Sequence, residues 1–228
     1  MFFHLQPKDA LISDLNLRLI ETYQAIKRDW EKVEQELWRL QRLHSREFYY
    51  AERSRKRKTL HTRAAQFLYL NRTCWNGLYR ENLRGEFNVP IGTKSKIIDN
   101  SENFEEISIA LANTTIVNAD FEYSVDRARS GDLIFADPPY TTAHNHNGFI
   151  KYNQNIFRWD DQVRLRDSLQ RAVERGAKVV VTNADHPSIH ELYHGISSSH
   201  SLRRPSVISA NSAHRGITTE AIFIMENL

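Results

Sequence analysis

The sequence predicts an α/β fold organised around an open, mainly parallel sheet, and three observations carry that expectation. First, short apolar runs recur along the 228 residues at 10–14 (ALISD), 114–120, 132–137 (DLIFAD), 177–183 (AKVVVTN) and 219–225 (TEAIFIM). They are apolar throughout rather than alternating, as strands covered on both faces are. Second, helical patterns fall between them. Leu19, Tyr23, Ile26, Trp30, Val33, Leu37 and Leu40 recur at three- and four-residue steps and describe one long amphipathic helix. Residues 160–175 form another, with Gly176 as its stop signal. Third, residues 43–96 break the rhythm with a basic run, RSRKRK at 53–58, a helical stretch at 63–70 and a Gly- and Asn-bearing segment at 71–92. A long insertion of this kind is where a specificity device is grafted on a stabilising sheet. Three parts are therefore expected: 1–42 opening the sheet domain, 43–96 as the insertion, and 97–228 as its remainder.

A net charge of +3 is too mild to identify a polyanionic partner, but its distribution is uneven. From Arg39 to Arg63 there are nine Lys or Arg and two acids, so this stretch carries +7 and the rest of the chain −4. One cysteine, Cys74, excludes an intramolecular disulfide framework and a thiolate zinc cluster. It reads as a small buried residue, and a reducing cytoplasm fits. The histidines lack paired metal-ligand spacing, and His144 with His146 reads as a polar loop, so no metal is expected. No apolar run reaches the length of a membrane span, and the opening MFFHLQPKD does not suit a signal peptide, so no membrane partner is expected.

The chemistry concentrates at Asp137-Pro138-Pro139-Tyr140, which closes the run DLIFAD where open α/β sheets bind ligands. A proline turn that merely ends a strand is the plain alternative. Two successive prolines fix φ and remove two N–H groups, so this turn offers carbonyl acceptors and no amide donors over two residues. One carboxylate and one rigid carbonyl could accept both hydrogens of an exocyclic amine, whose lone pair is otherwise delocalised into its ring. Tyr140 adds a flat face for a base to stack on.

Five ordered segments extend this motif: Ser13–Asn16 (SDLN), Leu70–Gly92 (LNRTCWNGLYREN followed by GEFNVPIG), Asp137–Tyr140 (DPPY), Thr182–Asp185 (TNAD) and Glu191–Tyr193 (ELY). In this order they resemble the Dam-like DNA adenine-N6 methyltransferases over nearly the whole chain. The resemblance implies an α/β fold with a Rossmann-like methyltransferase sheet and a mainly helical DNA-recognition insertion. It implies methyl transfer from S-adenosylmethionine to adenine N6 in duplex DNA, with base flipping. Asp137 and the Pro138 carbonyl would hold the amine, with Pro139 completing the turn, and Tyr140 would stack on the flipped base. Asp14 would bind the ribose hydroxyls of the cofactor, a role that its place after a strand also suggests, although a helix N-cap is an equal reading from sequence. Asp120 and Phe121 would flank the cofactor's adenine, with Asp137 also near the cofactor. Arg80, Asn82, Arg84, Asn88 and Pro90 lie in the hairpin-like recognition loop. Arg55, Lys56, Arg57 and Lys58 suit phosphates, with an ordinary charged face as the alternative. Glu81 departs from relatives that carry an apolar residue there, so no wedge into the base stack is expected at that position.

The family's first strand and glycine-rich turn should precede HLQPKDALISDLN, yet no glycine occurs before Gly77. The sheet is therefore expected to lack its first strand, and the chain as given to bind cofactor weakly. The competing reading is an N-terminally truncated, inactive relative that still contacts DNA. A monomer at the nucleoid in the cytoplasm is expected, in the setting of restriction-modification.

Overall fold

The structure is a computed structural model that describes residues 1–82, 84–99, 102–143, 157–205 and 217–227. The chain divides into two compact units, Met1–Asp120 and Phe121–Leu228.

The first unit opens with a short helix, α1 (Phe2–Leu5), and a strand, β1 (Ala10–Asp14). Asn16 caps α2 (Leu17–Arg42) by accepting from the N–H groups of Arg18 and Leu19. The cap is thus Asn16 and not Asp14, which removes the helix-cap alternative for Asp14. The expected single helix is interrupted at Asp29, whose φ of −161° and ψ of 68° are not helical. Its carboxylate accepts from the Lys32 N–H and so caps the turn that follows. Three more helices follow: α3 (Arg46–Ser54), α4 (Leu60–Thr73) and α5 (Phe104–Leu111). The unit closes with β2 (Thr114–Asn118), which pairs in parallel with β1. Ile26, Val33, Leu37 and Leu40 of α2 share one core with Tyr49, Ala64, Ala65, Tyr69, Leu70, Ile97 and Phe104. The helices within 43–96 complete the core that α2 begins.

The second unit contains α6 (Phe121–Val125), β3 (Leu133–Ala136), α7 (Trp159–Glu174), β4 (Lys178–Ala184), α8 (Pro187–Leu192), β5 (Ser198–Pro205) and β6 (Ile217–Met225). Its sheet has the order β3-β4-β6-β5, parallel between β3 and β4 and antiparallel across both β6 pairings. Gly176 stops α7 at a φ of 92°, and a side chain there would press against Ser130. Along β4, Val179, Val181 and Asn183 are buried while Val180, Thr182 and Ala184 are only partly so. Successive residues of this strand therefore serve opposite faces.

The mixed α/β class is as expected, and the five apolar runs are all strands. The sheet differs in two ways. Its strands fall into two sheets, one per unit, and β6 runs antiparallel. Among the described residues β1 pairs only with β2 and β3 only with β4, and Leu133 and Phe135 on β3 are exposed at 50% and 43%. Among the described residues no helix is long and apolar enough to cross a membrane.

Candidate active site

The turn Asp137–Tyr140 leaves β3 at its carboxyl end, beside the carboxyl end of the parallel strand β4. Thr182 of β4 donates its hydroxyl to Asp137 Oδ1 at 2.6 Å. Asp137 is exposed, and among the described residues Oδ2 meets no donor. Neither does the Pro138 carbonyl. The Pro139 carbonyl, by contrast, accepts from Gln162 Nε2 at 3.0 Å, and the Thr141 carbonyl accepts from the same nitrogen at 3.4 Å. Gln162 lies on α7, fully buried, and its Oε1 accepts from the equally buried Asn183 at 3.0 Å. Donors thus reach this donor-poor turn from side chains, as two prolines in succession require.

Tyr140 is 38% exposed, and its hydroxyl donates to Glu220 Oε1 at 3.2 Å. Burial, then the charges of Asp137 and Glu220, push this phenol above its ordinary range. It is a neutral, tethered ring with part of its surface open, which suits stacking.

In the first unit, Asp14 ends β1 opposite Asn118, whose side-chain amide donates to the Asp14 carbonyl at 2.9 Å. Asp14 Oδ1 accepts from the Asn16 N–H at 2.6 Å, and the carboxylate is exposed at the strand's carboxyl end. Asp120 follows β2 on the same end of this sheet. In the second unit, Phe121 is half-buried, its ring covered by the Arg164 guanidinium at 4.1 Å and edged by Phe157.

The segment 74–92 forms the expected hairpin, with antiparallel bridges Cys74↔Ile91 and Glu81↔Phe87. Its neck is close: a side chain on Gly92 would meet the Cys74 carbonyl at 2.5 Å. At its tip Asn82 Oδ1 accepts from the N–H groups of Arg84 and Glu86, and its amide donates to Glu86. Arg80 Nε donates to Asn88 Oδ1 at 2.8 Å across the hairpin. Arg84 and Pro90 are exposed. The Glu81 carboxylate accepts from the Tyr79 hydroxyl. Asn82, Asn88 and Arg80 thus shape the loop, while Arg84 projects from it.

The basic run separates likewise. Arg57 is only 14% exposed and closes on Glu52 through two 2.7 Å hydrogen bonds, with Glu36 at 3.3 Å. Arg55 lies 3.5 Å from Glu52 but is half exposed, and Lys56 and Lys58 are exposed. His144 and His146 lie outside the described residues, among which no group of three or more metal-ligating side chains occurs.

The profile of the D12 class N6 adenine-specific DNA methyltransferases matches residues 1–206. The chain belongs to that family. It is 36% identical over 232 aligned residues to the type II methyltransferase M1.LlaDCHI of Lactococcus lactis, covering 97% of this chain and 81% of that protein. It is 30% identical to the DNA adenine methylase of Vibrio cholerae, covering 97% and 82%. The DNA adenine methylase of Escherichia coli K12 is 31% identical over 80% of this chain and 67% of its own length. This chain is accordingly an adenine-specific DNA methyltransferase, and as such it needs a methyl donor and DNA. Around its DPPY turn, Gln162 and Glu220 are not singled out by the sequence, and Thr182 and Asn183 are marked there only as part of the TNAD segment, without a role. The TNAD motif could have pointed to two of them, since a strand's consecutive polar residues must serve opposite faces.

Proposed function

We propose that this D12-class methyltransferase transfers a methyl group from S-adenosylmethionine to N6 of an adenine flipped out of duplex DNA, and that Asp137 with the Pro138 carbonyl accepts the two amine hydrogens. The observation that carries this reading is the uneven satisfaction of the turn. Thr182 and Gln162 engage Asp137 Oδ1 and the Pro139 carbonyl, whereas Asp137 Oδ2 and the Pro138 carbonyl meet no donor among the described residues.

Asp14 fits the cofactor on chemical grounds: an exposed carboxylate at the carboxyl end of a parallel strand is the usual acceptor for a ribose diol. Asp120 and Phe121 would serve the cofactor's adenine, Phe121 with the ring surface that Arg164 leaves. The cofactor supplies an electrophilic methyl group on a sulfonium centre. The protein's part is to hold the amine so that its lone pair leaves conjugation, to stabilise with the Asp137 carboxylate the positive charge that develops on nitrogen, and to receive the proton that N6 then loses. Tyr140 would stack on the extruded base and replace part of the stacking lost on flipping.

DNA would be held as a duplex by phosphate contacts from Arg55, Lys56 and Lys58 and read by the hairpin at Arg84 and Pro90, with Arg80, Asn82 and Asn88 shaping it. Arg57 is assigned to the fold instead. In finer detail the strands would belong to a Rossmann-like sheet, since an exposed apolar edge such as that of β3 is of the kind that takes up a further strand. The reading expects a monomer that acts at the nucleoid.

The test is methyl transfer to unmethylated duplex DNA by the parent and by Asp137→Ala. A loss of at least about a hundredfold, the typical effect of removing a preorganised electrostatic partner, is expected with DNA binding little changed. Activity of Asp137→Ala within about tenfold of the parent would remove Asp137 from this role.

A further inference from the structure

We propose that Thr182 and Gln162 are positioning residues for methyl transfer, holding the two ends of the Asp137–Tyr140 turn so that only Asp137 Oδ2 and the Pro138 carbonyl face the substrate amine. The inference rests on the site reading above and extends it to residues that do not touch the substrate.

A carboxylate on an exposed turn has two equivalent oxygens and rotates between them, and its chance of meeting an amine hydrogen in line falls accordingly. Thr182 ends this degeneracy. Its hydroxyl has one hydrogen, and the 2.6 Å contact commits it to Asp137 Oδ1. At the far end of the turn no backbone N–H exists at either proline, so only a carbonyl can be tied. Gln162 ties the Pro139 carbonyl at 3.0 Å and that of Thr141 at 3.4 Å, sparing the Pro138 carbonyl.

The two holds are independent in space and common in origin. Thr182 and Asn183 are consecutive on β4 and serve opposite faces, Thr182 partly exposed and Asn183 fully buried. Asn183 donates to Gln162 Oε1 at 3.0 Å, which fixes the glutamine's amide so that its nitrogen points to the turn. A fully buried, bonded amide pair is costly to reorganise, and it transfers the rigidity of the sheet to the turn.

The experiment measures kcat and KM with tritiated S-adenosylmethionine and unmethylated plasmid DNA, together with thermal unfolding, for Thr182→Val, Thr182→Ser, Gln162→Glu and Asp137→Ala. Thr182→Val keeps shape and removes the donor, so kcat should fall at least about tenfold while both KM values stay within about threefold, and Thr182→Ser should recover most of the loss. Gln162→Glu replaces the donor by an acceptor facing two carbonyls and should also lower kcat. If it fails to fold, the Thr182 pair decides alone. Parent-like kcat in Thr182→Val, equal losses in the valine and serine variants, or a loss confined to KM for DNA would overturn the positioning role. Inactive Asp137→Ala beside an active Thr182→Val would sink this inference alone, whereas an active Asp137→Ala would sink the site reading beneath it.

Discussion

The guanidinium of Arg57 closes on the fully buried carboxylate of Glu52 through two hydrogen bonds of 2.7 Å, and Glu36 flanks it at 3.3 Å. Arg57→Ala should therefore destabilise the first unit, because it strands a buried charge that half-exposed Arg55 reaches only at 3.5 Å. Breaking a buried pair from one side typically costs about 3–5 kcal/mol, and the residual Arg55 interaction places this case at the lower end. Urea unfolding measures it. A change under about 0.5 kcal/mol, the range of ordinary surface substitutions, would return Arg57 to the surface.

The remaining cations of the run behave differently. Neutralising Arg55, Lys56 and Lys58 together should leave the unfolding midpoint nearly unchanged but weaken binding to every duplex sequence. The slope of log K against log salt should flatten by about 0.9 for each phosphate that is no longer neutralised. An unaltered slope would make the three residues an ordinary solvated face.

Arg84→Ala should change which sequences are methylated while leaving the salt slope within about one unit of the parent's. Arg84 projects from a tip that Asn82 has already shaped through two backbone N–H groups. Asn82→Ala should instead loosen the loop and lower activity on all sites alike. Methylation of a randomised duplex library distinguishes the two, and an identical preference in Arg84→Ala would exclude base readout there.

Much of this was legible in the sequence because it rests on local pattern. ALISD became β1 residue for residue, and DPPY lies where a strand must hand its ligand on. What was not legible depends on pairing across distance. The strand Ser198–Pro205 exposes Ser198, Ser199, His200, Ser201 and Arg203, with Leu202 as its one aliphatic residue, so no apolar run announced it. Arg57 reads as one of four like cations until Glu52 and Glu36, five and twenty-one positions earlier, are seen to converge on it. Gln162 lies in the first turn of a helix that periodicity did find, yet nothing local says that its amide reaches Pro139. The core shared by 43–96 and α2 was hidden for the same reason: Tyr49, Ala64, Ala65 and Tyr69 meet Val33, Leu37 and Leu40 only across distance.

Tyr140→Phe should retain most of the stacking and lose the tether to Glu220. A modest fall in kcat, about two- to tenfold, is expected, while Tyr140→Ala should fall further because base–aromatic stacking is worth about 1–3 kcal/mol. Fluorescence of 2-aminopurine at the target position reports flipping directly. A Phe variant as inactive as Ala would shift the role from the ring to the hydroxyl.

Acid should act on the second unit through Asp185. Its carboxylate accepts from His190 Nε2 and from Ser201, each at 2.7 Å, and from Thr219, joining the end of β4 to α8, β5 and β6. Hydrogen bonds from His190, then Ser201 and Thr219, hold this carboxyl down at about 2, against 3.8 for an unperturbed aspartate. The folded chain therefore binds a proton at Asp185 less readily than the unfolded chain does. The stabilisation is fully present above the unfolded value, declines as pH falls below about 4, and is gone once pH passes the folded value near 2. Asp185→Asn cannot titrate, so it should be less stable than the parent at neutral pH and show a shallower loss between about pH 4 and 2, the two curves converging at the acid end. Chemical unfolding monitored at several pH values provides the comparison. Parallel curves for parent and Asp185→Asn across that window would mean that Asp185 is not the carboxyl responsible, and that its three hydrogen bonds contribute equally to both protonation states.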